Sequence, residues 1–101
     1  MKIITENEFE NETKEGLVLV DFFATWCGPC RMMGATLEQA EAELKDVKIV
    51  KVDVDEDEDL ARRFGVMSIP TIVLLKDGTE VDSHIGLMSM EKLKAFIDQN
   101  R

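Results

Sequence analysis

The chain has 101 residues, 45% hydrophobic and 33% charged, which suits one compact core and excludes the apolar-poor composition of disordered chains. Its 21 acids against 12 Lys and Arg leave a formal charge of -9 with the bases scattered, which excludes nucleic acid and anionic membrane surfaces as partners. No apolar run nears the roughly 18 residues of a membrane span, and the start "MKIITENEFENE" turns acidic with no export signal, so a cytoplasmic protein is expected.

A short strand is expected around Lys2–Ile4, then a helix near Glu6–Lys14 with Thr5 or Asn7 as cap and Gly16 as stop. Leu17–Ala24, "LVLVDFFA", is apolar almost without alternation, the pattern of a central strand covered on both faces. Asp21 is its exception. After Cys27, the residues Met33, Leu37, Ala40 and Leu44 recur at helical spacing with Glu38, Glu41 and Lys45 between them, which predicts an amphipathic helix beginning at the cysteines. Val47–Asp53 reads as a strand, Glu58–Phe64 as a short helix closed by Gly65, and Thr71–Leu75 as a strand bounded by Pro70. Asp77-Gly78 is a two-residue hairpin signal, so Glu80–Ile85 must run antiparallel to Thr71–Leu75. A last helix follows Ser89, with Met90, Leu93, Phe96 and Ile97 on its inner face. The order is βαβαβ, a short helix, then ββα.

Both cysteines lie in "DFFATWCGPCRMM", Asp21 to Met33. Such a pair serves as a staple, as part of a metal site or as a redox centre. Two cysteines are too few for a disulfide framework, and in an intracellular chain a C-x-x-C is more often catalytic or metal-binding than structural. Residues i and i+3 of a helical turn stand about 5 to 6 Å apart at Cβ, compatible with the roughly 4.4 to 6.8 Å Cα separation of a disulfide, so the pair closes and reopens without rebuilding the fold. The ring it encloses is small, which makes it a weak staple. A zinc site usually takes four ligands, and beyond the cysteines there are only His84 and carboxylates, so a metal is not expected unless two chains share it. The positive end of the helix favours a thiolate at Cys27, selecting it as nucleophile. Pro29 fits a first turn that does not need its N–H, Gly28 lets another chain approach the sulfur, and Trp26 borders the site as core or as contact surface.

For Asp21 the choices are a strand-end carboxylate facing water or a buried one, and the flanking "LVLV" and "FFA" favour burial. Burial raises a carboxyl's pKa and would fit Asp21 to take the proton from Cys30 during exchange. Lys51, interrupting "IVKVDVD", is either its partner or a snorkelling edge lysine. The acidic run Asp53–Asp59 is not an EF-hand, because Glu58 stands where that loop needs glycine and Phe64 where it needs glutamate. Its acids suit the start of a short helix, with Glu58–Arg62 and Asp59–Arg63 spaced for surface pairs. His84 is a lone histidine on a strand, structural or exposed. Met67 lies in the loop before Pro70, and a Trp26–Met67–Ile69–Pro70 surface would also suit a binding module with incidental thiols.

With Trp26-Cys27-Gly28-Pro29-Cys30 in place, the sequence resembles the thioredoxin family over nearly its whole length. "VDFFATWCGPC", "VDVDEDEDLARRFGVMSIPTIVLLKDG" and then Gly86 and the last helix follow the family's order and spacing. The resemblance implies an α/β thioredoxin fold, a central five-stranded mixed β-sheet flanked by four α-helices, with Pro70 cis and facing the cysteines. It implies dithiol–disulfide exchange in which Cys27 attacks, Cys30 resolves, and Asp21 and Lys51 form a buried pair beneath them. Trp26, Gly28, Pro29, Ile69, Pro70 and Gly86 fall where the family forms its substrate groove, and Met67 is placed with them. Gly-Pro between the cysteines resembles the reducing members, which implies a monomeric protein-disulfide reductase without a cofactor, recycled by an NADPH- or ferredoxin-linked thioredoxin reductase. Two positions depart from the pattern: Phe23 stands where tryptophan is common, and Ala35, after Gly34, where a helix-kinking proline is common.

Overall fold

The computed structural model describes residues 1–101. The elements in chain order are β1 (Lys2–Ile3), α1 (Glu6–Thr13), β2 (Leu17–Phe23), α2 (Gly28–Glu43), β3 (Val47–Asp53), α3 (Glu58–Arg63), β4 (Thr71–Lys76), β5 (Thr79–Ile85) and α4 (Met90–Asp98). Each lies where its hydrophobic period put it, with ends displaced by a residue or two. Of the two candidate caps for α1, Thr5 holds the position, and its backbone N–H donates to the Glu8 carboxylate at 3.1 Å. The α2 helix runs unbroken through Gly34 and Ala35, so the missing proline leaves a continuous helix.

One five-stranded sheet carries the strands in the order β1-β3-β2-β4-β5. β1, β3 and β2 are parallel, while β4 runs antiparallel to β2 and β5 antiparallel to β4. The β4–β5 turn is the expected Asp77-Gly78, with both residues at positive φ, 50° and 85°, as a hairpin of this length requires. Asp77 also accepts from the Gly16 N–H at 2.8 Å, which ties the turn to the start of β2.

Because strand side chains alternate, β2 divides its apolar run between two layers. Leu19 joins Met33, Leu37 and Ala40 of α2 and Leu93, Phe96 and Ile97 of α4. Val18, Val20 and Phe22 join Phe9 of α1 and Leu60 and Ala61 of α3 on the other side. Asp21 and Phe23 share the face of Leu19, so the one charged residue of β2 points toward α2. The Met88 N–H donates to the Met33 sulfur at 3.4 Å, fastening the segment before α4 to the same helix.

Candidate active site

The cysteines sit where β2 hands the chain to α2. The Cys27 N–H donates to Ala24 O at 3.2 Å, closing a turn after the strand. Cys27 is then the N-cap of α2, extended at φ -87° and ψ 112°, and its sulfur accepts from the Cys30 N–H at 3.1 Å. Cys27 and Cys30 are joined as a disulfide with Cα atoms 5.2 Å apart, inside the range the i, i+3 spacing allows. They are 5% and 3% exposed. No acid occupies the first turn of α2, so nothing there opposes the helix end, which favours negative charge on Cys27 once the pair is reduced. Gly28 and Pro29 are exposed beside them, and Arg31 Nη2 donates to Thr25 O at 3.1 Å, bracing the loop against the helix.

The rim comes from distant parts of the chain. Ile69 packs against the cluster of Phe23, Ala24, Cys27 and Cys30, and the Ile69–Pro70 peptide is cis, as expected. Pro70 O accepts from the Gly86 N–H at 2.8 Å, which brings the segment after β5 to the proline loop. Trp26 is 70% exposed and Met67 94%, which settles Trp26 as surface rather than core. With Val54, Val66, Ser68 and Ile69 they line a shallow apolar cleft of about 210 Å³. The largest cleft, about 550 Å³, lies elsewhere, between α1 and the β4–β5 turn, and its lining is almost wholly polar. The smaller one adjoins the cysteines, because Val54 and Ile69 of its lining pack against their cluster.

On β2, on the face that α2 covers, Asp21 is fully buried and neither carboxylate oxygen has a hydrogen-bond partner. Burial pushes its pKa up to about 6, with the nearby Lys51 charge pulling the other way. Lys51 is opposite Asp21 in the β2–β3 register and half-buried; its strand is paired on both sides, so it is not an edge residue, and it makes no hydrogen bond to the carboxylate. Its ammonium instead lies 4.3 Å from the centre of the Phe23 ring.

Several contacts were not foreseeable from spacing. Trp26 Nε1 donates to Asp55 Oδ2 at 2.8 Å, a bond made across the ends of β2 and β3 that gives one acid of the run Asp53–Asp59 a definite task. Arg62 pairs with Asp59 at 3.2 Å, three residues away rather than the four of the expected Glu58–Arg62 pair, while Arg63 lies over the rings of Phe9 and Phe64. His84 is half-buried, with Nε2 3.3 Å from Leu87 O and its ring edge on Phe96, outside the cysteine cluster.

The thioredoxin family model matches residues 1–99. The chain belongs to the thioredoxin family. It is 51% identical over 100 residues to thioredoxin of Listeria monocytogenes, covering 98% of this chain and 97% of that one. With thioredoxin of Bacillus subtilis it shares 46% over 97 residues, 95% and 93% of the two chains. The solved thioredoxin of Fasciola hepatica superimposes with a TM-score of 0.88 at 38% identity, covering 100% of both chains. A mutant thioredoxin from Halobacterium salinarum gives 0.89 at 37% identity, covering 98% of this chain and 88% of that one. The mixed sheet with four helices is therefore the thioredoxin fold, and the chain is a thiol–disulfide oxidoreductase with Cys27 and Cys30 as its redox-active pair. Like thioredoxins generally, it acts on disulfide-containing proteins and depends on a reductase partner to reopen the pair.

Proposed function

We propose that this thioredoxin is a cytoplasmic protein-disulfide reductase, one domain over residues 1–101 acting as a monomer. It carries electrons from an NADPH- or ferredoxin-linked thioredoxin reductase to substrate disulfides. The Cys27 thiolate attacks one sulfur of a substrate disulfide; that S–S bond breaks, a mixed disulfide forms, and the first substrate thiolate leaves. Cys30 then gives its proton to the Asp21 carboxylate and attacks Cys27 Sγ, which releases the second substrate thiolate and closes the Cys27–Cys30 bond. Two electrons have passed to the substrate, and Asp21 returns the proton to solvent. Lys51 stabilises the ionised form of Asp21 from a distance. Trp26, Met67 and Ile69 offer the apolar side of the groove, Gly28 and Pro29 leave the approach to Cys27 open, and Pro70 with Gly86 forms the opposite lip.

The observation that carries this reading is the N-cap position of Cys27, whose sulfur already accepts the Cys30 N–H where the helix favours negative charge. The test is turnover of insulin with dithiothreitol. The intact chain turns over; Cys27→Ser falls to background; Cys30→Ser accumulates the mixed disulfide as a species separable on a non-reducing gel. Equal activity in Cys27→Ser ends the reading, and a measured reduction potential separates a reductant from an oxidant.

A further inference from the structure

Asp21 and Lys51 face each other across neighbouring strands on the side covered by α2. Opposite charges placed so, in a poorly solvated layer, ordinarily close into a contact pair, because an unpaired buried charge is costly. These two do not close: both Asp21 oxygens are unbonded. The Lys51 ammonium lies instead 4.3 Å from the centre of the Phe23 ring, two residues beyond Asp21 on the same face of β2. Gly34 of α2 also lies close, since a Cβ there would stand 3.9 Å from Nζ, in ordinary van der Waals contact, so the ammonium is packed near the helix as well as the ring. A ring face attracts a desolvated cation through its quadrupole and gives the ammonium a counter-surface that is not a carboxylate.

We propose that Phe23 is a positioning residue of the exchange reaction: its ring holds the Lys51 ammonium clear of Asp21, which leaves the carboxylate free to take and return the Cys30 proton. This rests on Asp21 being the base. The remaining groups facing Asp21 leave Lys51 as the controlling charge. Asp53 continues β3 on the same face, but its Oδ1 already accepts the Asp55 N–H at 2.9 Å. His84 shares the face from β5, separated from Asp21 by Ile72 of β4. The α2 helix presents Cys30, Met33 and Leu37 and α4 presents Leu93, Phe96 and Ile97, none of them charged while the disulfide is closed. Without the ring, the ammonium moves to the one buried acceptor that has no partner, Asp21.

The experiment follows the Asp21 carboxyl carbon by NMR in the oxidised protein from about pH 4 to pH 8, the interval in which a buried carboxyl titrates. It compares the intact chain with Phe23→Leu, Lys51→Met and the double variant. Phe23→Leu is expected to lower the midpoint by about half a unit or more, as a newly formed contact pair does. Lys51→Met raises it, and Phe23→Leu has no further effect in the Lys51→Met background. A midpoint that stays or rises in Phe23→Leu overturns the proposal, and so does an equal shift without Lys51, which would mean that water entering the vacated space is the cause. If the midpoints behave as expected while Asp21→Asn exchanges at the full rate, the hold of Phe23 on Lys51 is upheld and the role of Asp21 as base is the part overturned.

Discussion

Asp21 is neutral below its raised midpoint and charged above it, and the fold tolerates the first state better than the second. In the folded chain it titrates at about 6, against 3.8 for a free carboxyl, so between these values the folded state binds more protons than the unfolded. Stability from this group is therefore fully present below about pH 4, falls as pH rises through 6, and is flat above; the difference is on the order of 3 kcal/mol. Asp21→Asn keeps the shape and a similar unpaired polar load while removing the ionisation. It is expected to match the intact protein near pH 4 and exceed it in stability near pH 7, in urea titrations of the oxidised form, while slowing exchange at neutral pH. Equal stability at both values would mean that the folded and unfolded carboxyl titrate alike.

Among the elements, α2 and α4 show how far short-range rules reach. Ser89 was expected to start the last helix, and its hydroxyl accepts from the Lys92 N–H at 3.2 Å as the cap of α4. Ser89→Ala is expected to cost about 1 kcal/mol in a denaturation midpoint while leaving insulin turnover unchanged, since the cap touches no part of the cysteine cluster. Caps, turns and apolar periods of this kind were legible because each depends on residues within a turn of one another. The Cys27–Cys30 pair was legible for the same reason. What stayed hidden depends on the register of β2 against β3: the Trp26–Asp55 bond joins residues 29 apart in sequence, and the diversion of Lys51 to Phe23 needs both strands. Arg63 departs from its spacing on similar grounds. Its spacing from Asp59 allowed a surface pair, but the aromatic side of α1 was within reach and took it.

At the scale of the whole molecule, the strand order decides how the reactive loop is mounted. β2 lies inside the sheet, bonded along its length to β3 and over most of it to β4, while β5 has one free edge and β1 contributes two residues at the other. Regions of a protein open at different free energies, and strands with neighbours on both sides open last. Backbone amides of Val18–Phe22 should then exchange with deuterium most slowly, near the rate set by global unfolding, and those of Thr79–Ile85 that face outward much sooner. The redox loop thus hangs from the most persistent part of the chain. Successive cycles of closing and opening act on a mount that does not loosen between them, so the protein can meet one partner after another with the same face.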